Sequence, residues 1–122
     1  MPINLAAQPA NMNPYKVILV DRSGNVVGSN TALTAAAPTA VSVGTASTLV
    51  ATTAPGRRGL VLTNTDTTNR MSFGVGTTAI LNSGITLLAG GVFEMDEWMF
   101  TTSAIYAIAA TAPSNLAIQE FS

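Results

Sequence analysis

The acidic side chains of Glu94, Asp96 and Glu97 form the one acidic cluster in this sequence, and such a cluster could form a cation-binding or catalytic site. Paired carboxylates bind calcium or act as general acid and base in catalysis. In an extended strand, Glu94 and Asp96 point to one face and Glu97 points to the other, so at most two carboxylates converge. Few other polar residues accompany them to form a substrate cleft. We therefore predict a solvated strand edge or turn at this cluster, with a calcium site as the alternative.

Nucleophilic catalysis lacks its usual residues. The sequence contains no histidine and no cysteine, and its only lysine is Lys16. A serine nucleophile would have no histidine base, and thiolate and iron–sulfur chemistry are excluded. The segment 74–78, Gly-Val-Gly-Thr-Thr, is similar to a phosphate-binding glycine loop, but it lacks the lysine and the following helix. We predict a turn there and a protein that is not an enzyme, and we assign no catalytic residue, cofactor or metal ligand.

Two other motifs are candidates for contact with a partner. Arg57 and Arg58 lie in a Pro-Gly-Arg-Arg-Gly turn, where they suit a bidentate contact with a partner's carboxylate. The alternatives are a solvated loop or an intrachain pair with the acidic cluster. Trp98, Met99 and Phe100 are typical of core plus one interface anchor, and the alternative is a platform on which a sugar ring stacks.

The low content of charged residues favours association with other protein. Charged residues are 9 % of the sequence and the net charge is −1, whereas typical soluble domains have about a quarter charged residues. The cations are scattered, which excludes the basic stripe of a nucleic-acid binder. We find neither a run of membrane-spanning length nor a secretory signal. Because the segments 26–56 and 71–92 carry no charge, we predict that much of the surface is covered by other protein.

The residue pattern predicts an all-β fold. Threonine, serine, asparagine, glycine and proline recur too often for long amphipathic helices. We predict an extended arm over 1–14, a hairpin (15–27) and linker within 15–45, and a β-sandwich core over 46–122. The segment 105–109 is apolar on both faces, so we expect one face against the core and the other against a neighbouring sheet or subunit. Short strands are predicted at 41–43, 48–52, 59–63, 70–75, 85–88, 92–95, 105–109 and 116–121.

A run of motifs from Ala54 to Ser122 carries a resemblance to a known family. In order they are Ala-Pro-Gly-Arg-Arg-Gly-Leu-Val-Leu-Thr-Asn-Thr at 54–65, Phe-Gly-Val-Gly at 73–76, Gly-Ile at 84–85, Leu-Ala-Gly-Gly at 88–91 and Ala-Ile-Tyr-Ala-Ile at 104–108. This order resembles small β-sandwich virion proteins of tailed bacteriophages, namely capsid decoration or cement proteins and related head-fibre and tail accessory domains. The resemblance covers a little over half of the chain.

The resemblance implies a jelly-roll-like antiparallel sandwich on the capsid surface of the virion, made in the host cytoplasm. Such proteins bridge neighbouring subunits of the major capsid protein and form dimers or trimers, without a nucleic-acid or membrane partner. The expected function is to stabilise the head, and the alternative is a receptor- or carbohydrate-binding module of a head or tail fibre, with Trp98, Tyr106 and Phe100 as its aromatic platform. The residues expected to bind the partner are Ile3, Leu5 and Met12 in the arm, Arg57 and Arg58 in the turn, and Trp98 and Phe100.

Overall fold

Two antiparallel four-stranded sheets make up the part of the chain that the computed structural model describes, residues 32–96 and 99–122. Within these residues there is no helix, and hence none long and apolar enough to span a membrane. The all-β sandwich predicted from the sequence is confirmed. The strands are β1 Thr39–Val43, β2 Thr48–Ala51, β3 Gly59–Asn64, β4 Met71–Val75, β5 Ile85–Leu87, β6 Val92–Met95, β7 Ile105–Ala109 and β8 Ser114–Phe121.

The chain alternates between the sheets. The first sheet has the order β1-β8-β3-β6, and the second has the order β2-β7-β4-β5. Every connection between successive strands passes from one sheet to the other, except the one from β4 to its neighbour β5. Eight strands divided in this way between two sheets are consistent with the jelly-roll-like arrangement expected from the sequence.

The hydrophobic core lies between the two sheets and follows the alternation of the strands. In β3, Leu60 and Leu62 are buried, and in β4, Met71 and Phe73 are buried. Val75, at the end of the same strand, is exposed. Each large side chain removed from water contributes about 1.5–3 kcal/mol. The other buried apolar residues of the core are Val43, Ala51, Leu87, Met95, Ile105, Ala107, Ala109, Leu116 and Ile118.

The sandwich begins earlier than the predicted boundary at residue 46. Strand β1 pairs with β8 over its whole length, and the segment before it pairs with the end of the chain. The Thr34 N–H donates to the Ser122 carbonyl at 2.6 Å, and the Ser122 N–H donates to the Thr34 carbonyl at 2.9 Å. Residues Leu33–Ser122 therefore form one unit. The predicted arm over 1–14 and the predicted hairpin over 15–27 lie outside the described residues.

Candidate protein-binding surface

The second sheet is free of charged residues. None of its strands β2, β7, β4 and β5, nor the connection 76–84 between β4 and β5, contains an acidic or basic residue. We call the outer side of this sheet, together with connection 76–84, the neutral face. Arg70 lies just before β4 at its rim, where its Nε donates to Oδ1 of Asn82. Interface centres are depleted of charge, so this composition suits a protein contact.

Glycine at position 74 allows the connection to fold back onto the sheet. In β4 the side chains of Met71 and Phe73 point into the core, so position 74 faces outward. A Cβ there would lie 2.4 Å from the Thr77 carbonyl oxygen and 2.7 Å from the Thr78 carbonyl oxygen. Only glycine permits such a close backbone approach. The turn predicted for 74–78 is therefore a packing contact against the sheet.

The connection then crosses the sheet and is fixed by hydrogen bonds. The Ala79 N–H donates to Oγ of Ser47, just before β2, at 2.9 Å. Because β7 lies between β4 and β2 in the sheet, the connection crosses β7. Returning toward β5, the Asn82 N–H donates to Oγ of the buried Ser72 at 2.8 Å, and Ser72 bonds Oγ1 of Thr86 at 2.8 Å. These bonds hold the connection as a rigid part of the surface.

Large apolar side chains project from this anchored surface. Ile80 in the connection is 64 % exposed and Leu49 in β2 is 47 % exposed. A shallow cleft of about 340 Å³ lies beside Ile80, with Val75 and Thr78 among the residues that line it. Single exposed apolar residues are common on protein surfaces. Here the two side chains lie on one face, which carries no charge, contains a cleft and has a backbone held by hydrogen bonds. Together these properties favour a binding surface.

The outer side of β7 belongs to the same face. Ile105, Ala107 and Ala109 are buried in the core, as the sequence predicts for one side of the strand. On the other side, Tyr106 and Ile108 are only half-buried. The cover expected from a neighbouring sheet or subunit is supplied in part by the chain's own connection 76–84.

The structure corrects the expectation that Arg57 contacts a partner. Its side chain is fully buried and lies 3.1 Å from the Glu120 carboxylate, rather than near the acidic cluster. It also donates to the backbone carbonyls of Thr52 at 2.7 Å, Ser103 at 2.7 Å and Thr101 at 3.2 Å. Arg57 therefore links chain segments to one another at one end of the sandwich, and its side chain is not accessible to another protein. Its Nε has no hydrogen-bond partner among the described residues.

The remaining predicted contact residues are divided between exposed positions and the undescribed part of the chain. Arg58 is exposed, and its backbone N–H donates to the Phe121 carbonyl at 2.8 Å. Phe100 is 49 % exposed and its neighbour Met99 is exposed as well. These positions are compatible with an interface, and their role in binding stays a prediction. Ile3, Leu5, Met12 and Trp98 lie outside the described residues.

The acidic cluster is brought together only in part. Glu94 is exposed on β6, and Asp96 is exposed just after it. An oxygen of the Asp96 carboxylate accepts the Met99 N–H at 3.1 Å, which caps a turn. Glu97 lies outside the described residues. Over residues 32–96 and 99–122, no three acidic side chains are grouped to hold a metal ion.

Sequence reasoning did not single out Ile80, Leu49 or the cleft beside Ile80. The available signal was the uncharged segment 71–92, which indicated a covered surface without saying which side chains project from it. The chain matches no family model, no curated protein and no solved structure. The likeness to phage decoration proteins therefore stays a prediction.

Proposed function

We propose that this protein is a structural virion protein that binds the outer surface of an assembled phage capsid and bridges neighbouring subunits of the major capsid protein. The observation that carries the proposal is the neutral face: a charge-free sheet surface from which Ile80 projects. A preformed surface without charge suits adhesion to another protein, because interface centres are depleted of charged residues. Stabilisation of the head then follows from binding energy spread across the seams between subunits.

The anchoring of connection 76–84 supports adhesion by a rigid surface. Binding loops that are ordered only on contact lose conformational entropy, about 0.5–1.5 kcal/mol for each immobilised side chain. In this chain the backbone near Ile80 is already held through Ala79 and Asn82. Ile80 can therefore enter an apolar pocket of a partner with little further ordering. Full burial of an exposed isoleucine contributes about 1.5–3 kcal/mol, and Ile80, which is 64 % exposed, contributes a corresponding part of this.

Co-sedimentation with assembled capsids that lack the protein tests the proposal. We expect the wild-type chain to bind, and we expect Ile80→Lys to weaken binding at least about tenfold, which corresponds to 1.4 kcal/mol. The matched control is Thr67→Lys, which adds the same charge on the exposed turn between β3 and β4. Failure of the wild-type chain to co-sediment contradicts the proposed function. Equal binding by Ile80→Lys and wild type places the contact elsewhere on the chain.

A glycan array on the same wild-type protein tests the alternative of a receptor- or carbohydrate-binding module. Binding on the array that is lost in Tyr106→Ala, without co-sedimentation with capsids, favours the fibre module. Tyr106 is the residue to change because it lies half-buried on the neutral face. A silent array together with capsid binding favours the decoration protein.

A further inference from the structure

The two sheets present four edge strands, each with one side of its backbone unpaired within the described residues. These strands are β1 and β6 in the first sheet and β2 and β5 in the second. An edge strand is a template for pairing with another chain, and proteins block it with short strands, bulges or charged side chains. A comparison of the four edges therefore shows which of them can accept another strand.

Three of the edges carry a feature that opposes pairing. Strand β5 is only three residues long. Strand β2 has an irregular register between Leu49 and Ala51, which interrupts a regular ladder. Strand β6 carries the exposed carboxylate of Glu94. A second copy of β6 placed antiparallel to the first would bring two Glu94 side chains close together, which is unfavourable.

Strand β1 lacks these features. It pairs with β8 in an unbroken register from Thr39 opposite Ile118 to Val43 opposite Ser114. Its residues Thr39, Ala40 and Ser42 are small and exposed, and no charged residue occurs between positions 26 and 56. Val41 is half-buried and packs against the core at this side of the sandwich. The edge is therefore regular, neutral and bordered by an apolar side chain.

We propose that β1 pairs antiparallel with β1 of a second copy of this chain, so that the first sheets of the two copies join into one continuous sheet. A twofold axis perpendicular to the sheet keeps the outer faces of both copies on the same side. Directly opposed residues of antiparallel strands point to the same face, so one residue must lie opposite its own copy, with the axis midway between the two. An axis at Val41 places all five residues of β1 opposite residues of the second copy.

This register is self-complementary. It places Ala40 opposite Ser42 of the second copy and brings the two half-buried Val41 side chains together. No charge is opposed to a like charge, and Pro38, which has no N–H, ends the ladder just before Thr39. A second copy of β1 fits this edge because the register pairs all five residues of the strand with residues of its own copy and opposes no charges. The inference concerns the free protein and does not depend on capsid binding.

Single-cysteine variants of the full chain test the register, because the natural sequence has no cysteine. A disulfide requires Cα atoms about 4.4–6.8 Å apart. Opposed residues in antiparallel strands are about 4.5–5.5 Å apart, and a residue one position from the axis is farther from its own copy. We expect Val41→Cys to form the most disulfide-linked dimer under mild oxidation, ahead of Thr39→Cys, Ala40→Cys and Ser42→Cys. Glu94→Cys, on the opposite edge of the same sheet, gives the background amount of disulfide-linked dimer that forms by random collision.

Sedimentation equilibrium supplies a second measurement that needs no cysteine. Ala40→Lys adds a charge to the edge in each copy, and we expect it to raise the dimer dissociation constant at least about tenfold, or 1.4 kcal/mol. Thr67→Lys is the control and should leave the constant unchanged. The proposal is overturned if no β1 position cross-links above Glu94→Cys, or if Ala40→Lys dimerises as the wild type does. If Ala40→Lys loses its β-sheet circular dichroism, the cysteine series decides alone.

Discussion

Nη2 of Arg57 lies 3.1 Å from Oε2 of Glu120, and the arginine side chain is fully buried while the glutamate side chain keeps 30 % exposure. The pair connects the turn before β3 with the end of β8. Its guanidinium also binds backbone carbonyls that follow β2 and precede β7. One side chain thus joins both sheets at one end of the sandwich. Loss of the arginine would therefore leave several backbone carbonyl acceptors without a donor.

Replacement of Arg57 by methionine should destabilise the protein by about 1–3 kcal/mol, the cost of leaving buried acceptors without their donor, because the Glu120 carboxylate left behind keeps 30 % exposure. Urea unfolding followed by circular dichroism measures the change. The control is Arg58→Met, which makes the same replacement at the exposed neighbour and should change stability by about 0.5 kcal/mol or less. Equal effects of the two variants would show that the buried contacts do not stabilise the end of the sandwich.

Gly74→Ala should loosen the neutral face. The added Cβ would lie 2.4 Å from the Thr77 carbonyl oxygen, so connection 76–84 must move away from the sheet. We expect a loss of about 1–3 kcal/mol, as for other overpacked sites, and faster hydrogen exchange at the Ala79 and Asn82 amides. Gly44→Ala is the control, because its Cβ meets nothing closer than 4.0 Å. Unchanged exchange in Gly74→Ala would contradict the account of how the connection is held.

Asn64 organises the other end of the sandwich. This buried residue ends β3, and its Nδ2 donates to the carbonyls of Asn69 at 2.7 Å and of Leu87 and Leu88 at 3.1 Å. Asn64→Ala should cost about 1–3 kcal/mol, because these acceptors lose a buried donor. Thermal unfolding measures the loss. The control is Asn115→Ala, which removes an exposed hydrogen bond to Thr65. We expect it to destabilise the protein less than Asn64→Ala does, and equal effects would contradict the prediction.

The strands were predictable because their signals are local. Residue alternation and turn residues define β6 and β7 at the bounds seen in the structure, and all eight predicted segments form strands. The pairing of Thr34 with Ser122 was not predictable, because a run of alanine and threonine has no distinct face. The burial of Arg57 was missed for another reason. Its partners include the carbonyl of Ser103 and the carboxylate of Glu120, which are distant in sequence and come together only through the fold.

The binding surface was predictable only as a region. The uncharged segment 71–92 indicated where protein contacts could lie. The selection of Ile80 as the most projecting side chain of the connection depends on Gly74, whose missing Cβ allows the backbone to fold back. A sequence pattern does not contain that geometry, because the contact is between two backbone segments rather than between side chains of recognisable type.

Asp66 should make the stability of the turn between β3 and β4 depend on pH in the acid range. Oδ1 of Asp66 accepts the N–H of Thr68 at 2.8 Å and the N–H of Asn69 at 2.7 Å. These two hydrogen bonds, first that of Thr68, lower the pKa of Asp66 from 3.8 to about 2. The folded chain therefore holds this carboxylate in its charged form at a pH where the unfolded chain has begun to protonate it.

The sign of the pH dependence follows from this difference. Since the folded pKa of Asp66 is below the unfolded value, its contribution to stability is present above pH 3.8 and is lost as the pH falls toward 2. Urea midpoints measured from about pH 5 down to about pH 2 should therefore fall more steeply for the wild type than for Asp66→Asn. The asparagine keeps an acceptor oxygen for the Thr68 and Asn69 amides but does not titrate, so other carboxylates affect both proteins alike. Parallel pH profiles for the two proteins would show that the turn does not depend on the charge of Asp66.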